Sequence, residues 1–145
     1  MDLVAIDDEE RLFVSSAIDD WQKLYSLGIQ VVFDLDAPVD EGLPTRAAQL
    51  VYVYLPIQDA DLPDMEALKA AGRLGATLHR AGRKVLVHCG MGLNRSPLLA
   101  GLILFELGWD GEAAVRRLRE RRPGALFNEE FEHFLCGLHP AQRDL

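Results

Sequence analysis

A chain of 145 residues, 49% hydrophobic and 26% charged with mean hydropathy near zero, has the length and balance of one globular domain, residues 1–145, with a real core. Its net charge of −8 is split unevenly: 14 Asp and Glu against 3 Lys and Arg in residues 1–64, and 9 against 12 in residues 65–145. The acidic first half excludes a general nucleic-acid binder, which needs a basic footprint, and the positive excess of the second half is where an anionic ligand belongs.

Along the chain, "LVAI" (3–6) and "RLFVS" (11–15) read as short strands. "DDWQKLYSLG" supplies Asp19 or Asp20 as a cap, apolar Trp21, Leu24, Tyr25 and Leu27, and Gly28 as a stop, which predicts a short helix. The β-branched and aromatic runs "IQVVFDLD" (29–36) and "LVYVYLPI" (50–57) are bounded by turn residues and read as strands. "PDMEALKAAGRLGATLHRAG" (63–82) places Met65, Leu68, Ala71, Leu74 and Leu78 at helical spacing, with Gly82 ending the helix. "KVLVH" (84–88) reads as a central parallel strand buried on both faces. Helices follow at about 96–107, 111–122 and 128–137. This order predicts an α/β domain: a central, mostly parallel sheet flanked by helices. The longest apolar run, 98–107, is too short to span a membrane and is interrupted by Gly101 and Glu106. "MDLVAIDDEER" is acidic and is no secretory signal, and two cysteines, Cys89 and Cys136, make neither a disulfide framework nor a four-ligand zinc site. A monomer in a reducing cytoplasm is expected, with a thiol available for chemistry.

The stretch "HCGMGLNRS", His88 to Ser96, joins the central strand to the next helix. Ligands of open α/β sheets bind at such carboxyl ends of strands. Gly90 and Gly92 permit φ > 0 and close backbone approach, so successive N–H groups can turn inward as an anion nest, with Pro97 in the first helical turn. Those donors and the positive helix end favour a thiolate at Cys89 and can hold three oxygens of a phosphoryl group. Arg95 offers a planar fork for two of them. The alternative, an inert cysteine in a tight turn, leaves Arg95 and Ser96 at this spacing unexplained.

This stretch resembles the H-C-x5-R-S signature of the cysteine-dependent protein tyrosine phosphatases, and most resembles their small dual-specificity branch. "RLFVSSAIDDWQKLYSLGIQVVFDL" looks like that family's opening strand–helix–strand, "YLPIQDADLPD" like its general-acid loop, and "AVRRLRERRPGALFN" like its closing helix and loop. The resemblance implies a protein tyrosine phosphatase-like fold and hydrolysis of phosphate monoesters through a thiophosphate on Cys89, with no cofactor and no metal. It further implies that Arg95 and the amides of the Gly90, Met91, Gly92, Leu93 and Asn94 cradle stabilise the transition state, that Ser96 helps the thiolate leave, and that the ring of His88 orients the loop. The proton donor comes from Asp59, Asp61 and Asp64. Asp61 three residues before Asp64, around Pro63, reads as a helix cap, with Asp64 as a first-turn acid. Asp59, free of that duty and aligned with the family aspartate, is the expected acid.

Other features have plainer readings. Arg116, Arg117, Arg119, Arg121 and Arg122 suit a solvated helix face. The sharper idea is that Arg122 reaches the site and reads a second phosphate or an acidic flank. Asn128 either caps the last helix or helps to position water and line the pocket. Cys136 reads as a core cysteine, His79, His133 and His139 show no metal-ligand pairing, and Trp21 and Trp109 are core or boundary aromatics. The expected substrate is a phosphoprotein or a small phosphomonoester. Three alternatives stand beside it. One is an RNA 5′-triphosphatase or nucleotide phosphatase, suggested by Asn94 before Arg95. A phosphoinositide phosphatase is disfavoured by the lack of lysine in the loop. The last is a non-catalytic phospho-residue binding module.

Overall fold

The computed structural model describes residues 1–44 and 50–142. Five strands and five helices follow in the order β1 (Val4–Ala5), β2 (Leu12–Ser15), α1 (Trp21–Ser26), β3 (Ile29–Asp34), β4 (Val51–Tyr54), α2 (Met65–Arg80), β5 (Lys84–His88), α3 (Arg95–Glu106), α4 (Gly111–Arg121) and α5 (Glu129–Cys136), with a 3-10 turn at Pro140–Gln142. The sheet order is β1-β2-β5-β3-β4. Only β1 against β2 is antiparallel; the β2–β5, β5–β3 and β3–β4 pairs are parallel. The expected mostly parallel α/β layering is therefore present, and β5, with parallel partners on both edges, is its centre.

Alternation along the strands builds two cores. Val14, Val31, Phe33, Val85 and Val87 face α2–α5 and join their buried residues, whereas Phe13, Val32 and Leu86 face the other way with Leu24 of α1. Each fully buried Val, Leu, Ile or Phe contributes roughly 1.5–3 kcal/mol of transfer free energy. α3 is buried from Ser96 through Phe105, so it is the helix wedged between the sheet and the other helices. Among the described residues, no helix is long and apolar enough to cross a membrane.

Two sequence expectations shift. The strand expected over 50–57 ends at Tyr54, because Leu55 and Ile57 turn inward and donate their N–H groups to Asp34 and Leu35. The cap of α2 is Asp64, not Asp61: its carboxylate accepts from the N–H groups of Glu66 and Ala67. The chain before it is held elsewhere, with the Leu62 N–H donating to Glu130, so Asp61 is left exposed outside the helix.

Candidate active site

The parallel register sets Asp34 beside His88 and Ser15 beside His88, so the carboxyl ends of β2, β3 and β5 converge just where residues 89–94 leave the sheet for α3. Cys89 lies at the floor, 2% exposed. Its Sγ accepts the Gly92 N–H at 3.2 Å and lies 3.4 Å from the Ser96 hydroxyl. An inward amide, a hydroxyl and the N-terminus of a 12-residue helix thus all meet at the sulfur. Gly92 makes this possible with φ of +71°; a Cβ there would lie 2.7 Å from the Ser15 carbonyl carbon. Gly90 does not adopt positive φ. Its role is close approach, since a Cβ would lie 3.0 Å from Asp36 Oδ2 and 3.3 Å from an Arg95 guanidinium nitrogen.

Arg95 reaches back over the loop, donating from Nη1 to Asp36 Oδ1 at 2.9 Å and to the Ile57 carbonyl at 3.3 Å. One edge of the fork is thereby fixed, and Nη2 lies close to Gly90 of the loop. Arg122 also reaches the loop, but from outside: Nη2 donates to the Met91 carbonyl at 2.8 Å, Nε to that of Gly92 at 3.2 Å, and Nη2 lies 3.5 Å from Asp2. Its donors hold the loop's carbonyls away from the cradle instead of pointing into it. Of the other α4 arginines, Arg116, Arg119 and Arg121 are exposed, as on a solvated face, but three of the four have partners. Arg117 and Arg121 pair with Asp8, Arg117 lies over Trp109, and Arg119 binds Glu132 and the carbonyls of Ala125 and Leu126.

Asp59 hangs over the loop between two asparagines. Asn94 Nδ2 donates to its Oδ2 and Asn128 Nδ2 to its Oδ1, each at 2.8 Å. Asn94 is 2% exposed and its own Oδ1 accepts the Asn128 N–H at 2.9 Å, which closes the triangle. Asn128 meanwhile caps α5 by accepting the Phe131 N–H. The capping role weighed for it is filled, and its side-chain amide reaches Asp59 as well. Asp61 makes no such contact. Met91 and Leu93 flank the cradle: Met91 points to solvent, and the Leu93 carbonyl accepts the N–H of Leu126, a residue held at φ of +63°.

Beneath the loop lies a polar cluster that sequence reasoning missed. His88 Nε2 sits 2.6 Å from Asp40 Oδ2 and 3.4 Å from Asp34 Oδ1. The Tyr52 hydroxyl contacts Asp34 and lies 3.1 Å from Asp40. Burial pushes the Asp34 carboxyl above its ordinary value despite hydrogen bonds from Tyr52 and the Asp36 N–H. Burial, then the neighbouring Asp34, push the Tyr52 phenol upward, so it stays a donor. The available signal was two polar residues, Asp34 and His88, ending otherwise apolar strands in parallel register. At the far end of the sheet, His79 is likewise paired, 2.6 Å from Asp7. Cys136 is half-buried on α5, its thiol raised by burial and by Glu132.

The family described as dual specificity phosphatase, catalytic domain, matches residues 12–139. The chain belongs to that family. The phosphatase domain is 42% identical over 109 residues to protein tyrosine phosphatase type IVA 2 of Mus musculus, covering 75% of this chain and 55% of that one. It is 52% identical over 42 residues to PRL-1 phosphatase of Drosophila melanogaster, covering 29% of this chain and 24% of that one. Its fold is similar to the crystal structure of human DUSP28, with a TM-score of 0.74 at 23% identity, covering 92% of this chain and 89% of that one. The chain spans from about a quarter to about half the length of these curated relatives.

Proposed function

We propose that this domain hydrolyses phosphate monoesters, phosphoproteins first, through a phosphocysteine intermediate. The observation that carries the reading is the gathering on one loop of the Cys89 sulfur with its inward amide, the Arg95 fork and, through Asn94, the Asp59 carboxyl that Asn128 also holds. Cys89 Sγ attacks phosphorus in line, forming the S–P bond as the ester P–O bond breaks. The loop amides and Arg95 hold the equatorial oxygens, whose charge changes most in the transition state. Asp59 gives its proton to the departing oxygen, then takes one from the water that attacks the thiophosphate. The Ser96 hydroxyl, 3.4 Å from Sγ, stabilises the thiolate as it leaves. Asn94, Asn128 and Arg122 are positioning residues, acting through Asp59 and the loop, and His88 fixes the base of the loop through Asp40. Arg122, spent on the Met91 and Gly92 carbonyls, offers no second phosphate contact, which weighs toward a monoester over a polyphosphate. A free Cys89 thiol suits a reducing compartment, so cytoplasmic action by a single copy of the domain belongs to the proposal.

The test is hydrolysis of p-nitrophenyl phosphate without added metal. Cys89→Ser abolishes turnover, and Asp59→Ala lowers kcat by about 10²–10⁴-fold on alkyl or poor-leaving-group phosphates. Folded, reduced wild type that hydrolyses neither this ester nor any phosphopeptide overturns the reading.

A further inference from the structure

Beyond its neighbour strand β2 and Arg122 at the end of α4, four connecting segments bond directly to the cysteine loop. Residues 16–20 do so through the Ala17 N–H to the Gly90 carbonyl, and residues 35–44 through Asp36 to Arg95. Residues 55–64 do so through Ile57 and Asp59, and residues 123–130 through Leu126 and Asn128. Together these four stretches contain ten Asp and Glu and no Lys or Arg, more than the whole net charge of −8. Everything else in the chain therefore sums to a small positive excess.

Some of that charge is used locally. Asp20 and Asp64 cap helices, Asp36 pairs with Arg95, Asp40 with His88 and Asp19 with the N-terminus. Glu41, Asp59, Asp61, Glu129 and Glu130 are exposed on these segments, Asp59 while accepting from Asn94 and Asn128 and Glu130 while accepting from Leu62. The two guanidinium groups that reach the loop are engaged, Arg95 in the cradle and Arg122 on the loop's carbonyls. Between the acidic groups stand two large apolar side chains, Met91 at 66% exposure on the loop itself and Phe127 at 63%, flanked by two residues that bond to the loop. A deep point of positive potential for one phosphoryl group is thus ringed by negative charge and apolar surface.

We infer that the site selects phosphorylated peptides with cationic and apolar residues flanking the phosphoresidue, and disfavours acid-flanked peptides and nucleoside polyphosphates. The inference rests on the phosphatase reading above and names its substrate class. Charges flanking the phosphoresidue meet the ring at screened, solvent-exposed distances, where each contact changes affinity by a factor of about two to three. Three such contacts give about tenfold, and like charges give the reverse.

Two measurements separate this inference from the reading on which it rests. Affinities of the Cys89→Ser protein for matched phosphotyrosyl peptides, flanked either by Lys, Arg and Leu or by Glu and Asp, read the preference without turnover. Turnover of p-nitrophenyl phosphate by the wild type reads the chemistry. A roughly tenfold preference for the basic peptide at low salt is expected, shrinking toward parity in 0.5 M salt and in the doubly charge-reversed Asp61→Lys, Glu129→Lys protein. Equal binding, preference for the acidic peptide, or tightest binding to a nucleoside triphosphate overturns it, whatever the ester assay gives.

Discussion

Two histidine–carboxylate clusters sit at opposite ends of the same sheet, and a buried aspartate in each shifts oppositely: Asp7, 2.6 Å from His79, and Asp34, 3.4 Å from His88. At the amino end of the parallel strands, Asp7 accepts from His79 and from the N–H groups of Arg11 and Leu12. Burial works to raise its carboxyl, but the hydrogen bonds from His79, Leu12 and Arg11 outweigh burial and hold it below its ordinary value of 3.8. At the carboxyl end, Asp34 is as deeply buried, yet it shares one imidazole and one phenol with a second carboxylate, Asp40, and its carboxyl is raised. Burial works to raise both carboxyls; the hydrogen bonds outweigh it at Asp7, and at Asp34, where a second carboxylate adds to burial, they do not. The end with surplus donors fastens the turn before β2 to α2, and the end with shared donors carries the cysteine loop.

The comparison can be broken by separating stability from activity. The largest effect is expected from Asp7→Asn, which removes the buried carboxylate that faces His79 and the Arg11 and Leu12 amides and should cost about 3 kcal/mol in urea unfolding at pH 7. The kcat/KM of the protein that stays folded should be unchanged. Because the folded carboxyl is depressed, its stabilisation is present above the ordinary value of 3.8 and fades as pH falls through the lower folded value, so the cost should vanish in acid. Next comes Asp40→Asn at the other end. Losing the acceptor that pins His88, next to Cys89, should lower kcat/KM roughly tenfold through misplacement of the loop, with about 1 kcal/mol or less in unfolding free energy. Equal losses of stability and activity in both variants would erase the distinction.

The smallest and sharpest test is Tyr52→Phe. Without the phenol, the Asp34 carboxyl should rise further, at a cost of about 1 kcal/mol. A raised carboxyl binds its proton more tightly folded than unfolded, so its stabilisation is complete below 3.8 and is lost as pH rises through the folded value. Stability measured between pH 4 and 7 should therefore slope downward more steeply in the variant, the opposite of the slope contributed by Asp7.

How much of this was legible in the sequence depends on sequence separation. Every strand and helix was readable, because β-branched runs, helical spacing and caps such as Asp20 and Asn128 act within a few residues. The cradle was readable too, since cysteine, glycine and arginine fall within seven positions. Asp59 was the expected acid, but the reason differs from the one the sequence offered. Asp61 does not cap α2; what distinguishes Asp59 is its contact with Asn94, 35 residues away, and Asn128, 69 away. No local pattern encodes pairs at that distance. The cluster of Asp34, Asp40, Tyr52 and His88 was hidden for the same reason, and Arg122 was placed near the site without any sign of which face of the loop it would grip.

Asn128 stands at the end of the last long helix and at the shoulder of the acid loop. When α5 frays or lifts away, its N-cap geometry is lost, and with it the amide that steadies Asp59. Short peripheral helices open at lower free energy than central strands. Heating should therefore silence the enzyme while its sheet is still intact, and a short excursion above that point should be recoverable on cooling. The expected outcome is loss of turnover at a lower temperature than loss of the sheet's circular dichroism.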